Sequence, residues 1–547
     1  MFKSKPTLFL VLGIGILLHA TPLTPGASSQ SAPTKKTTAK KSQPATPKKT
    51  SRRTASTSAG RTDRTTSNAD PSPATKGTGR EELRGIWITT DSPRDWDAVM
   101  KRLKDHNLNA AFVRIGQGGK VIYPSKVLPQ DQWSADTGED ELAKAVAAAR
   151  RHGIQFHAWK VCFVMNSARS LKAGRAANEF YDTIAREDRL VRDPKGVQGA
   201  WLDPSDPRNH DLEARVAREV ASNYALDGYH LDYIRYPDLK PGFDFHYGAV
   251  ARREFEKELG RAVENWPTDV ISGSLKLRYE DWERDNITRL VRRLGPEIKS
   301  QRPATLLSAA VFRNIHGHRA KIKQDWPRWC REGLLDFVVP MSYETELDTF
   351  RTVTRRDLSY ACGRTPYMAG IGGYLLYKPE AVVDQVQAAR ELGTDGFVIF
   401  SINDPTDDNG VMHKGLVDRQ LAALAAGPTW TPAVPGLGGP RFKFQLSPEV
   451  VHRPYEPPAI EAGGSTPVGI RLADSSQTSD GPLAGTVSVE DLRGRTLDEP
   501  LKVSLASGEE ISLGLTAFAT SARPVIRGVV GEGKKPFVVR GPIVEPV

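Results

Sequence analysis

The sequence predicts an α/β protein: a (β/α)8 barrel of TIM type followed by a small all-β, sandwich-like C-terminal domain. Two patterns carry the barrel. Between residues 81 and 427, short apolar runs alternate with amphipathic segments eight times, and strand-then-helix repeated eight times over such a length is how that barrel is written. The amphipathic segments also open on acidic residues or proline, and several stop at glycine or proline, as helices do. A third pattern marks the second domain. From 441 to 547 apolar and polar residues alternate one by one between closely spaced turn residues, the period of strands.

Two segments precede the barrel. Residues 1–20, MFKSKPTLFLVLGIGILLHA, place Lys3 and Lys5 before an apolar run from Leu8 to Leu18 and end on Ala20. The run is short for a bilayer span, so it reads as an export signal peptide, with a retained anchor as the alternative. Export implies a periplasmic, envelope-associated or extracellular protein. Residues 21–80 are rich in Lys, Thr, Ser, Pro and Ala and poor in branched and aromatic residues. Such a stretch buries too little surface to fold, and a disordered basic tether is expected. Residues 1–80 hold 14 lysines and arginines against Asp63 and Asp70, a balance of +12, whereas the whole chain carries +11. The basic character therefore belongs to the tail. No nucleic acid is expected as a partner; the tail suits anionic envelope polymers, or serves only as a solvated linker.

The eight apolar runs follow in order: LRGIWITT (Leu83 to Thr90), NAAFVRI (Asn109 to Ile115), IQFHAWKVCF (Ile154 to Phe163), GYHLDYI (Gly228 to Ile234), LLSAAVF (Leu306 to Phe312), LDFVVPMSY (Leu335 to Tyr343), PYMAGIGGY (Pro366 to Tyr374) and DGFVIFSI (Asp395 to Ile402). Each is rich in branched and aromatic residues at strand length. Between them lie segments such as DELAKAVAAARRHG and DWERDNITRLVRRLGPEIKSQRP, which carry helical periodicity. A doubly wound sheet is the competing architecture, but GIGGY (Gly370 to Tyr374) and GQGG (Gly116 to Gly119) lack the phosphate-cradling spacing that fold uses. Residues 428–440 form a Pro/Gly linker, and the strands beyond it suggest a packing or spacer module. The three cysteines, Cys162, Cys330 and Cys362, show no metal or redox spacing. Buried apolar thiols are expected, although export permits one bridge.

In a barrel of this type the chemistry sits where the strands end at their C-termini. Those ends supply Thr90, Asp91, Arg114, Trp159, Lys160, Asp232, Arg235, Tyr236, Arg313, Asn314, Tyr343, Glu344, Tyr374, Asn403 and Asp404. Carboxylates, planar hydrogen-bonding groups and aromatic rings together suit a polyhydroxylated ligand. Acid–base chemistry on such a ligand calls for paired carboxyl groups. Asp232 is the first candidate, because strand alternation puts it on one face with His230, inward and nearer the mouth. Arg235 nearby is expected to hold it ionised, as a nucleophile or base, or else to close the barrel with it as a salt bridge. Glu344, Asp404 and Asp91 are the candidates for the second carboxyl; Glu344 is otherwise a solvated loop residue and Asp404 part of a turn. The substrate-binding set is Arg114, His157, Trp159, Lys160, Arg235, Tyr236, Tyr343 and Asn403, with Trp159 as a sugar platform. His157 and His230 read more readily as core or supporting histidines than as ligands, and neither a metal nor another cofactor is expected.

From Glu82 to about Ala426 the chain resembles the bacterial glycosyl-hydrolase-like-ten family of barrels. The matching stretches are ELRGIWITT, VIYPSKV, FHAWKVCF, WLDPSDP, DGYHLDYIRYP, WERDNITRLVRRL and DWPRWCREGLLDFVVPMSY, in that order. The resemblance implies a glycoside hydrolase acting on a polysaccharide or oligosaccharide. The fourth strand is also distantly similar to family-eighteen chitinases, whose strand ends in a catalytic glutamate. Ile234 stands at that position here, so that mechanism does not carry over, although PMSYE keeps Met341 and Tyr343 and puts Glu344 where the partner acid stands. The same departure supports the alternative of a catalytically silent polysaccharide-binding barrel.

Overall fold

The structure is a computed structural model, and it describes residues 80–166, 179–237, 246–313, 315–361, 365–435, 437, 442–446, 459–460, 465–472, 483–492, 494–505, 510–516, 520–530, 535–541 and 543–546. The chain divides into two units, Met1–Thr78 and Gly79–Val547, and the described residues belong to the second. The expected signal peptide and basic tether lie outside the described residues, as do Asn314 and Cys362. Among the described residues no helix is long and apolar enough to cross a membrane.

All eight apolar runs form strands. In chain order the barrel consists of β1 (Leu83–Ile88), α1 (Trp96–Asp105), β2 (Ala110–Gln117), α2 (Glu141–His152), β3 (Gln155–Val161), α3 (Pro207–Asn223), β4 (Gly228–Asp232) and α4 (Lys276–Gln301), continuing with β5 (Leu306–Phe312), α5 (Trp326–Arg331), β6 (Phe337–Met341), α6 (Leu347–Ala361), β7 (Met368–Ile371), α7 (Pro379–Glu391), β8 (Gly396–Ile399) and α8 (Leu416–Ala426). Each strand pairs in parallel with the next, and β8 pairs with β1, which closes the cylinder and excludes the doubly wound alternative. The sequence signals act locally as expected. Asp95, Asp140 and Asp206 accept amides of the first turns of α1, α2 and α3, Pro207 opens α3, and Gly153 ends α2 in the left-handed conformation.

Strand alternation sorts the core into two layers. In β3, Phe156 and Ala158 face the helices, while Trp159 and Val161 pack inside the barrel with Trp87, Phe112, Phe337 and Val398. Fully burying one such large apolar side chain stabilises by about 1.5–3 kcal/mol. The inner layer also holds two histidines. The ring of His157 stacks on Phe112 at 4.5 Å, and it fits only because residue 228 is glycine: a Cβ there would lie 2.0 Å from its Nδ1. His230 accepts from Trp87 Nε1 at 3.2 Å through Nε2, so its proton sits on Nδ1, which donates to Ser308 Oγ at 2.8 Å.

The floor of the barrel is held by a repeated polar device. The residue before each even-numbered strand accepts an amide at the start of the odd-numbered strand preceding it. Asn109 takes Arg84 N at 2.8 Å, Asp227 takes Phe156 N at 2.8 Å, Asp336 takes Leu307 N at 2.7 Å, and Asp395 takes Tyr367 N at 2.9 Å. Each satisfies a backbone donor that strand pairing leaves open at the edge of the cylinder.

The C-terminal domain is sandwich-like. A three-stranded antiparallel sheet (Phe442–Leu446, Ser465–Leu472, Glu510–Thr516) and a four-stranded one (Leu483–Asp491, Leu501–Leu505, Ala522–Val530, Lys535–Arg540) share an apolar cluster that includes Val468, Ile470, Val487, Val489, Leu515 and Ile526. It docks at the floor, where Arg523 lies 3.3 Å from Asp395 and Arg540 donates to Glu81 O at 2.9 Å. Among the described residues, the opposite, C-terminal mouth is left to the barrel's own loops. Chief among these is the hairpin Leu190–Arg192 with Gln198–Leu202, which follows β3.

Candidate active site

Asp232 ends β4 inside the mouth, where the chain cannot continue as a strand. Tyr233 takes a positive φ of 53°, a strained conformation for a bulky residue. The turn brings Tyr233 N onto Asp232 Oδ1 at 2.7 Å, while Trp159 Nε1 donates to Oδ2 at 3.1 Å. The carboxyl is thus fixed at both oxygens. Burial pushes it up to about 6, against the Tyr233 amide, the charge of Arg235, the Trp159 indole and Arg114, all of which favour the ionised form. Arg235 acts on Asp232 in the expected direction, toward the ionised form, but burial outweighs it and leaves the carboxyl above its ordinary value.

Arg235 is itself boxed by rings. Its guanidinium carbon lies 4.7 Å from the Tyr233 ring centre, 4.9 Å from Phe312 and 5.1 Å from Trp201, and Nη1 donates to Tyr236 O at 3.1 Å. It forms a cationic wall of the mouth, faced by aromatic rings.

Across the mouth, Glu344 follows β6, half-buried, and is held by Arg313 Nη1, which also donates to Tyr343 O at 2.7 Å. Burial raises the Glu344 carboxyl, and Arg313 opposes the shift. The rings of Tyr343, Tyr374 and Phe400 meet edge to face or tilted at 5.8–6.0 Å, and Phe400 reaches Trp159 at 6.2 Å. Arg114 lies over Trp159 at 5.8 Å and is paired with Asp91 at the rim. Asn403 bonds Thr89 and accepts from Arg94 Nη2 at 2.8 Å. Asp232, Glu344, Arg114, Trp159, Arg235, Tyr343 and Asn403 therefore gather at one end of the barrel.

Other candidates are placed elsewhere. Lys160 faces outward and pairs with Glu213 of α3 at 3.3 Å, buried under the helix layer. His157 lies two inward positions below the mouth on β3, fully buried, with burial holding it down to about 3; it is a core residue. Tyr236 is buried, stacked on His246 at 4.5 Å and bonded to Asn286 Nδ2 at 3.1 Å. Trp159 is only 4% exposed, which makes it a support for Asp232 rather than an open sugar platform. Asp404 accepts Gly415 N at 2.7 Å and Val417 N at 3.0 Å, so its carboxylate caps α8. Cys162 and Cys330 are buried, as expected of apolar thiols.

Sequence reasoning missed Trp201, Tyr233, Phe312 and Phe400. All four stand inside stretches already singled out, WLDPSDP, DGYHLDYIRYP, LLSAAVF and DGFVIFSI. The same WLDPSDP stretch carries Asp203, which burial pushes up to about 6 and which Ser205 holds through its amide and hydroxyl at 2.8 and 2.6 Å. Among the described residues no group of three His, Cys, Asp or Glu side chains is arranged to hold a metal ion.

The Trp159 contact gives a first expectation. Because the indole N–H favours the ionised carboxyl, Trp159→Phe should raise the Asp232 pKa above its present value near 6. If Asp232 takes part in turnover, the limb of the pH–rate profile that it controls should move alkaline, with the thermal midpoint little changed. An unshifted limb would separate Trp159 from Asp232.

Comparison with known proteins follows the same lines. The chain is 25% identical over 318 residues to the glycosyl hydrolase DigH of Escherichia coli K12, covering 50% of this chain and 67% of that protein. It is 23% identical over 301 residues to the glycosyl hydrolase YngK of Bacillus subtilis, covering 48% and 54%. Among solved structures it matches a β-galactosidase from Bacillus circulans at 12% identity with a TM-score of 0.45, over 63% of this chain and 56% of that one. A likeness that loose says nothing of substrate or chemistry. The family model described as Glycosyl hydrolase-like 10 matches residues 82–359, from β1 to near the end of α6 and just over half of the 547 residues, and the chain belongs to that family.

Proposed function

We propose that this protein is an exported glycoside hydrolase that cleaves an envelope or extracellular polysaccharide with Asp232 and Glu344 as its two carboxyl groups. The observation that carries the reading is the setting of Asp232: a buried, doubly hydrogen-bonded carboxyl at the barrel mouth, which burial pushes up to about 6, toward a proton to give at mildly acidic pH. In this reading Asp232 protonates the departing glycosidic oxygen. Glu344, whose charge Arg313 compensates, acts on the anomeric carbon directly or through water, and one water is consumed per bond cut. Tyr343 and Tyr374 are partly open to the mouth and offer ring faces to the sugar.

The acid role has a sign that can be measured. If Asp232 must be protonated, kcat/KM falls as pH rises above about 6, by roughly tenfold per unit well beyond it; a base role gives the fall on the acidic side. Release of reducing ends from a panel of polysaccharides between pH 4 and 9 tests the reading, and no release at any pH would defeat it. That outcome, combined with retained glycan binding, would favour the silent binding barrel, for which the buried Ile234 in place of an acid is the supporting observation.

Export and envelope attachment rest on the sequence of residues 1–80. The basic tail carries Lys35, Lys36, Lys40, Lys41, Lys48, Lys49, Arg52 and Arg53. If these bind anionic envelope polymer, attachment to isolated envelopes weakens steeply between 0.05 and 0.5 M salt, roughly the range over which screening lengths shrink from above to below 10 Å. Attachment unchanged by salt or by deletion of residues 21–80 would leave the tail a linker.

A further inference from the structure

Among the described residues, the rim beyond Tyr374 carries the most exposed apolar ledge at the barrel mouth. Tyr377 is 48% exposed, Val411 56% and Met412 53%. They come from two loops, the one after β7 and the one after β8. Tyr377 packs its ring against His413 at 4.3 Å, and Met412 belongs to the same short hairpin as His413.

The ledge is built on fixed backbone. His413 Nε2 lies 3.3 Å from Asp407 Oδ2, and the other Asp407 oxygen accepts Asn409 N and Val411 N at 3.0 and 2.9 Å. Asp404 ties the end of that loop to α8. From the same helix, the buried Gln420 donates at 2.8 Å to Gly373 O and Leu376 O, pinning the turn that presents Tyr377. Exposed apolar side chains on so constrained a frame lose little freedom when a ligand covers them.

The ledge also continues the mouth. Trp159, Phe400 and Tyr374 form a chain of ring contacts leading outward from Asp232. Burial raises the Tyr374 hydroxyl, Arg313 opposes the shift, and Tyr377, three residues on, adds to it. Exposed Asp408 and Asn409 stand on the same hairpin and offer hydrogen-bonding groups beside the apolar faces. Ring and thioether faces bordered by planar polar groups match the carbon face and hydroxyl edge of a pyranose.

We propose that Tyr377, Val411 and Met412, braced by His413, form a second glycan-binding subsite on the rim, which takes a sugar unit of the same polymer remote from the bond at Asp232. The inference rests on the glycosidase reading for the polymer's course and on the ledge itself for binding. It makes the protein a reader of chain length: polymers engage the mouth and the ledge together, short oligosaccharides only the mouth.

The test uses the full chain and its Tyr377→Ala, Tyr377→Phe and Met412→Ala variants, with the polysaccharide that native protein binds or cleaves best in the panel. Tyr377→Ala should weaken retention by the immobilised polymer roughly tenfold, as loss of one stacked ring does, and raise KM for the polymer by the same factor with kcat held. Tyr377→Phe should stay near native and Met412→Ala fall between. KM for a short oligosaccharide of the same sugar should not move. Equal shifts for polymer and oligosaccharide, unchanged retention, native protein that no glycan in the panel retains, or a change in self-association on Tyr377→Ala would each overturn the subsite. Retention lost in Tyr377→Ala while native protein cleaves nothing would uphold the subsite and defeat the hydrolase reading instead.

Discussion

Asp232→Asn should abolish turnover, by about 10²–10⁴ in kcat, the usual contribution of a positioned proton donor, while the fold survives. Asparagine keeps the size of the side chain, and its carbonyl oxygen can still accept the Tyr233 amide that Asp232 Oδ1 accepts at 2.7 Å. Its NH2 group then faces the Trp159 indole N–H, donor against donor, where Oδ2 now accepts at 3.1 Å. That single mismatch costs about 1–3 kcal/mol at most. The buried ionisable carboxyl, which burial already drives toward its neutral form, is gone, and this offsets part of the cost. The thermal midpoint and polymer retention should therefore stay close to native while release of reducing ends disappears. A variant as active as native protein would take Asp232 off the catalytic list. Glu344→Gln, tested beside it, should lose turnover across the whole pH range as well, since an amide can neither attack the anomeric carbon nor take a proton from water.

The barrel was legible because each of its signals is local. Eight runs of strand period, the Asp caps before α1, α2 and α3, and Gly153 after α2 all act within a few residues of themselves, so the chain needs no distant information to place them. The site was legible only as far as alternation reaches. His230 and Asp232 share a face of β4, and both point inward. The same rule separates Trp159 from Lys160, one residue on, and sends the lysine to α3; counting it with the mouth ignored the period of the strand.

Past Asp232 alternation lapses. The positive φ of Tyr233 turns the chain, and neither the ring box around Arg235 nor the burial of Tyr236 follows from their spacing. The upward shift of Asp232 was hidden for a related reason: an arginine three residues away is visible in sequence, but the depth of the carboxyl is not. Asp404 shows the same limit. Its amide partners lie 11 and 13 residues ahead, so a cap on α8 and a mouth carboxylate look alike until the loop between them is folded.

The buried pair that removes Lys160 from the mouth makes the second large prediction. Lys160 and Glu213 have side chains only 6% and 5% exposed and lie 3.3 Å apart; Lys160 Nζ also donates to Val161 O at 2.6 Å, and Glu213 Oε1 accepts Phe163 N at 3.0 Å. Glu213→Ala leaves an ammonium buried without its counter-charge and a backbone amide without its acceptor. It should destabilise the barrel by roughly 3–5 kcal/mol, the usual cost of breaking a buried pair from one side. The double variant Lys160→Met with Glu213→Gln removes both charges, keeps a carbonyl oxygen for Phe163 N and conserves volume. Replacing a buried pair by groups of matched shape is close to neutral, so its denaturation midpoint should lie near the native one, far above that of Glu213→Ala. Its kcat and KM on any cleaved glycan should also be native, because the pair lies between β3 and α3 and not in the mouth. A raised KM in the stable double variant would return Lys160 to the substrate, and equal instability in the single and double variants would mean that the charges themselves hold β3 against α3.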